Sequence, residues 1–321
     1  MRTASNVVMC LLLGASILTA QHITVLATGP GRIKVDDGQI CWWLAHSTDV
    51  TSPQARIFDR SGNLLAALAV LQPVQGARSV SIYDVAVRQK AMIAVAAVYS
   101  KEDGSRPAAA LLYFDFKGKL LSFFVLDPSR GVLRLAIDER LHVWTLTTWS
   151  GGKDPSEVPM VIEYDARGRV VRELLPRDQF PLHAEAIEES SGNGFASFGY
   201  QSDTVWFWLP GSTDLVTIRT DSGRVTRVST GIPTVIGGAA PRSLDRQPSG
   251  NLVAEVVQKR LEDGALVSAV YLWSPETGQW TQLTPSACPD HVFVGVSGHD
   301  MLLVSFAGGA PEICAAPLSR P

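Results

Sequence analysis

The residues of this chain that could bind or transform a ligand are arginines, histidines and carboxylates, and their spacing favours binding. Arg32, Arg78, Arg130, His183, Arg242 and His291 recur just before or at the start of successive apolar segments, about fifty residues apart. If those segments are the innermost strands of a closed ring of sheets, six basic residues meet at one mouth of a channel. Such a ring concentrates positive potential in a low-dielectric funnel and suits a carboxylate, a phosphate or an acidic peptide. Other constellations carry less. His46 and Asp49 share the loop HSTDVTSP, where a His–Asp couple could do acid–base work, but a solvated loop accounts for both. Glu185 and Glu189 fall on one face of an extended segment while Glu188 points away, so the three carboxylates do not converge. Ser297 in GVSGHD sits in a turn. There is no GxSxG elbow, HExxH, P-loop, GxGxxG or EF-hand loop. Catalytic residues are therefore unassigned, and neither a metal nor a cofactor is expected.

Those basic residues are positioned by a repeat. One hairpin, with a turn that ends in Gly, recurs as RIFDRSGNLLAAL, LLYFDFKGKLLSFFVL, VIEYDARGRVVRELL, VTIRTDSGRVTRV and YLWSPETGQWTQL. Its glycines are Gly62, Gly118, Gly168, Gly223 and Gly278; glycine takes the left-handed conformation that such turns need. A second, more apolar hairpin lies between these copies. It reads IKVDDGQICWWLA, DVAVRQKAMIAVAAV, RLAIDERLHVWTL, EAIEESSGNGFASF, RSLDRQPSGNLVAEV and VFVGVSGHDMLLVSF. Two hairpins make a four-stranded unit of about fifty residues, the size of a propeller blade. Sustained apolar periodicity of the helical kind is absent. The expectation is an all-β, six-bladed β-propeller with four-stranded antiparallel blades. Polar loops between the second and third strands, such as His46–Pro53 and Trp149–Pro159, share one face, and Trp149 in TTWSGGKDP is the aromatic there best placed to contact a partner.

The last unit has three strands, the third within PEICAAP, and the segment HITVLA from His22 to Ala27 can supply the fourth. That closure removes an open sheet edge. Ahead of it, Arg2 and the apolar run VVMCLLLGASILTA read as a signal peptide, residues 1–20, followed by one propeller domain over residues 21–321. The expected location is periplasmic or secreted. In an oxidising space Cys288 and Cys314, which flank the last unit, are the expected disulfide, with Cys41 a small buried hydrophobe. With 46% hydrophobic and 18% charged residues and a net charge of −3, the chain is too apolar for disorder and lacks a polyanion-binding balance. No nucleic-acid partner, no embedding in a membrane and a monomeric state are expected.

The hairpins AIDERLHVW and LDRQPSGNLV, with returns such as YDARGRVV, resemble the six-bladed propellers of the NHL and TolB-like superfamily across nearly the whole chain beyond residue 20. That resemblance implies the fold. It transfers no catalytic residue, because such propellers include binding platforms, lactone hydrolases and lyases. The function expected is an exported binding module for a partner protein or a small anionic ligand. A secreted hydrolase or lyase acting at the channel mouth is the alternative.

Overall fold

Short apolar segments separated by Asp- and Gly-bearing turns fold here into hairpins, and the hairpins pair into blades. The computed structural model describes residues 21–24, 31–88, 90–101, 103, 107–127, 130–149, 154–180, 196–209, 212–231, 240–259, 266–283, 288, 291–305 and 311–318. They form six antiparallel sheets whose strands follow chain order from the innermost outward, except for one strand added to each of blades two and six. Blade one comprises Arg32–Asp36, Gln39–Trp43, Ala55–Phe58 and Leu64–Leu68. Blade two comprises Ala77–Arg88, Met92–Lys101, Ala108–Phe114 and Leu120–Val125, with the two-residue strand His46–Ser47 added at its inner edge. Blade three runs Arg130–Ile137, Val143–Trp149, Pro159–Tyr164 and Val170–Pro176; blade four runs Ser197–Gln201, Thr204–Trp208, Asp214–Arg219 and Val225–Ser229. Blade five is Ala240–Arg246, Leu252–Lys259, Leu266–Ser274 and Gln279–Leu283. Blade six is Val292–Ser297, Asp300–Ser305 and Glu312–Pro317, with Gln21–Thr24 paired antiparallel to its third strand. There His22 lies opposite Cys314, and Cys314 is disulfide-bonded to Cys288. Cys41 is buried and free.

Blade four departs from the sequence reading. Its first hairpin is Ser197–Trp208, turning at Ser202 with a φ of 51°, and not the EAIEESSGNGFASF segment. Residues 181–195, which hold Glu185, Glu188 and Glu189, lie outside the described residues. The Gly223 turn is the one that joins the outer pair of strands in this blade.

Each sheet is apolar on both faces in its inner strands, so it must be covered on both sides. Six clusters do this, one between every pair of neighbouring blades. Trp43 and Ile57 pack with Val85 and Val95 between blades one and two, and Trp144 and Leu146 with Phe207 between three and four. Leu302 and Ile313 of blade six pack against Ile40 and Trp42 of blade one, which closes the ring. The outer turns of blades one to three share one device: the carboxylates of Asp59, Asp115 and Asp165 each accept the backbone N–H groups two and four residues on. That leaves the following Gly62, Gly118 and Gly168 in the left-handed conformation.

The inner strands face the axis with one edge unpaired, and their N–H groups need acceptors. Side chains of the preceding blade supply them. Asp36 accepts from the Val87 amide at 2.7 Å, Asp84 from Leu135 at 2.7 Å, Ser197 from Leu244 at 2.9 Å, and Asp245 from Val296 at 2.7 Å. Bulges at Asp84, Arg134, Ser243 and Gly295 turn the amides of Leu135, Leu244 and Val296 toward these acceptors. Gly295 also admits blade one, since a Cβ there would lie 2.7 Å from that of Val35. These links set the width and lining of the channel.

Candidate functional site

All inner strands run in one direction, so the channel has a mouth where they start and another where they end. At the starting mouth is a cavity of about 220 Å³. Its charged wall is Arg32 and Lys34 from blade one, Asp84 from blade two, Arg134 from blade three, and Asp245 and Glu255 from blade five. Trp43, Tyr83, Phe198 and Trp206 supply its aromatic surface.

Lys34 is the hub of the charged group. Its ammonium donates to Asp84 at 2.9 Å and to the Leu135 carbonyl at 3.2 Å. Burial alone would lower its pKa, but the carboxylates of Asp84 and Asp36 outweigh that and raise it. Asp84 is 1% exposed and spends the same oxygen on the Leu135 amide. Burial pushes Asp245 up to about 7, against the pull of the Val296 and Arg246 amides, and pushes Asp36 up to about 6. Arg134 donates to the carbonyls of Ala196 and Leu133. Glu255, buried, accepts from the Ser268 hydroxyl at 2.5 Å. The wall thus holds three basic and three acidic side chains. One acid is neutralised within an ion pair, and another takes up a proton near neutrality.

Of the six basic residues expected at this mouth, Arg32 lines the cavity. Arg78 is exposed on the inner strand of blade two and does not line it. Arg130 is paired with Glu173 of its own blade's outer strand at 2.6 Å. His291 is half-buried immediately before the inner strand of blade six. His183 and the side chain of Arg242 lie outside the described residues, as does the side chain of Trp149. The described members therefore do not converge as a ring, and the basic residues that join Arg32 in the wall are Lys34 and Arg134. Both lie inside inner strands, where alternation decides which side chain meets the axis. His46 hydrogen-bonds Ser81 at 3.1 Å, while the Asp49 carboxylate accepts from Thr51.

A second polar cluster lies in blade three, at the turn ends of its sheet. One ligand atom from each of Asp138, His142 and Glu163 falls within 4.8 Å of the others, a spacing that could suit a metal ion. Their oxygens are already engaged by cations. Arg140 reaches Asp138 at 2.7 Å and Glu163 at 2.8 Å, Arg172 reaches Glu163 at 2.7 Å, and His142 Nδ1 lies 2.6 Å from Glu163. Both guanidinium groups also donate to the Thr220 carbonyl of blade four. Two fixed cations at the carboxylates repel a third, so the donor set does not fit a metal and acts as a strap between blades.

No protein-family model matches the chain, and no curated protein matches it in sequence. Among solved structures it is similar to a GH74 enzyme of Niastella koreensis, with 13% identity over 92% of this chain and 45% of that one, and a TM-score of 0.47. It is similar to the GH74 xyloglucanase of Xanthomonas campestris, with 16% identity over 93% and 46% and a TM-score of 0.48. It also resembles the Cps50 (Swd1) β-propeller domain of Myceliophteria thermophila, with 10% identity over 91% and 98% and a TM-score of 0.45. The chain spans less than half the length of either GH74 enzyme.

Proposed function

We propose that the chain is an exported binding module that takes a small anionic ligand at the starting mouth of its propeller channel. The observation that carries this reading is the 220 Å³ cavity with Arg32, Lys34 and Arg134 in one wall. Asp84 cancels Lys34, and Asp245 loses its negative charge as pH falls through about 7. Below that pH, Arg32 and Arg134 outweigh the remaining Glu255. The low-dielectric walls strengthen their attraction for an anion, and the flanking tryptophans exclude water around its apolar part. The apolar run before residue 21 supports export.

Thermal unfolding of the chain from residue 21 onward, with succinate, citrate or phosphate against chloride at equal ionic strength, tests the proposal. At least one of these anions should raise the unfolding temperature, and Arg134→Met and Arg32→Met should each abolish most of the rise. Equal shifts in the parent and both variants would place the anion elsewhere and remove the basis for this reading.

A further inference from the structure

The opposite mouth, where the inner strands end, opens into a second cavity of about 350 Å³, whose wall shares Val35, Phe198, Trp206 and Asp245 with the first. Arg246, the last residue of blade five's inner strand, lines it. Its Nε and Nη1 are buried, and no hydrogen-bond acceptor among the described residues reaches them. Nearby charges do not fill that role. Asp245 beside it accepts the Arg246 backbone N–H, not the guanidinium, and Asp203 is engaged by Arg219 at 2.8 Å. Arg246 is half-buried, and two buried guanidinium nitrogens left without acceptors are costly, which favours uptake of an anion that restores those bonds. Burial lowers the pKa of Arg246, the direction expected of a desolvated and under-compensated cation.

The neighbours define what anion fits. Gln201, also in the wall, has a buried Oε1 without a partner; turned over, the same amide offers an N–H to a bound oxygen. Arg88 stacks on the Tyr200 ring and is spent on Asp37 at 3.6 Å and Glu139 at 3.3 Å. Asp36 and Asp245 also line this mouth, so a doubly charged ligand meets more repulsion than a singly charged one. A planar carboxylate matches one edge of a guanidinium and brings a single charge. We propose that this mouth is a second binding site, holding a small monocarboxylate on the guanidinium of Arg246 and not on Arg32 or Arg134.

Acetate is the probe. Thermal unfolding of the parent, Arg246→Met and Arg134→Met is compared in sodium acetate and sodium chloride at equal ionic strength. Acetate at about ten times its Kd should raise the unfolding temperature of the parent and of Arg134→Met by roughly 2–4 °C. Arg246→Met should lose the rise. In chloride this variant should unfold no earlier than the parent, because the apolar stem stays and no side-chain hydrogen bond is removed. The same rise in Arg246→Met, no rise in the parent, or, in Arg134→Met, a larger rise with phosphate than with acetate overturns the proposal. A direct readout that needs no stable variant is the arginine Nε–Hε resonance set of the parent. One such resonance, missing from Arg246→Lys, should move on adding acetate, and an unmoved set also overturns the proposal. Loss of the succinate response in Arg134→Met with the acetate response intact separates the two sites.

Discussion

Asp84 is buried, and its carboxylate is held by one ammonium and one amide. Asp84→Ala strands Lys34 in the wall and leaves the Leu135 N–H without its acceptor. It should destabilise the fold by roughly 3–5 kcal/mol in chemical denaturation, with Asp84→Asn costing less because an amide oxygen still serves Leu135. Asp36 and Asp245 act in the opposite sense. Burial raises both, to about 6 and about 7, so between the ordinary carboxylate range and those values the native chain holds protons that the unfolded chain has released. Stability must then fall as pH rises through 6 and 7. From pH 5 to pH 8 the two groups should together remove roughly 4 kcal/mol, and Asp245→Asn should flatten its share, the larger one. Carboxylates held low, such as Asp59 and Asp165, lose their stabilisation only at more acidic pH and do not mask the effect. These channel residues were poorly legible in the sequence for a physical reason. A bulge adds one residue and reverses which side chain faces the axis; Pro241 and Gly295 mark two of the bulges, and those at Asp84 and Arg134 have no glycine or proline in the bulge itself.

Hairpins are the elements that local chemistry specifies most directly. Asp165 binds the Arg167 and Arg169 amides at 2.9 Å each and the Arg169 side chain as well. Asp165→Ala should cost about 1–2 kcal/mol, detectable as a shift in denaturation midpoint without a change in slope. The strap across blades three and four is stronger because it is buried. Glu163 is 0% exposed and faces Arg140, Arg172 and His142, so Glu163→Ala should cost roughly 3–5 kcal/mol. Turn chemistry is also why the blades could be counted from sequence: Asp and Gly at fixed offsets mark Gly62, Gly118 and Gly168 wherever they fall. It misled in blade four. There SSGNG carries the louder turn signal, whereas the true inner turn bends at Ser202. The inner turns of blades two and three likewise use a non-glycine residue at positive φ, namely Lys90 and Leu141, whereas blade one turns through Asp37 and Gly38, both at positive φ. Lys90 and Leu141 give no sequence signal of their own, and those two inner hairpins were legible from their flanking apolar strands alone, while an Asp-Gly pair marks the turn of blade one.

At the scale of the molecule, six inter-blade clusters make a closed ring in which every sheet depends on both neighbours. The seam is the strand Gln21–Thr24 on Glu312–Pro317, beside the Cys288–Cys314 disulfide. Removing residues 21–24 exposes the outer edge of blade six, and reducing the disulfide frees a 26-residue separation. Reduction alone should lower stability by about 2–4 kcal/mol, measurable by denaturation with and without a thiol reductant. The ring also fixes the channel that it surrounds, and the central claim concerns that channel. Calorimetric titration of succinate into the parent and Arg134→Met, at pH 5.5 and pH 8, tests it most directly. Binding should be saturable with about one succinate per chain at pH 5.5, at least severalfold weaker at pH 8 as Asp245 regains its charge, and lost in Arg134→Met. Binding that is unchanged across this pH range and unaffected by Arg134→Met would contradict it.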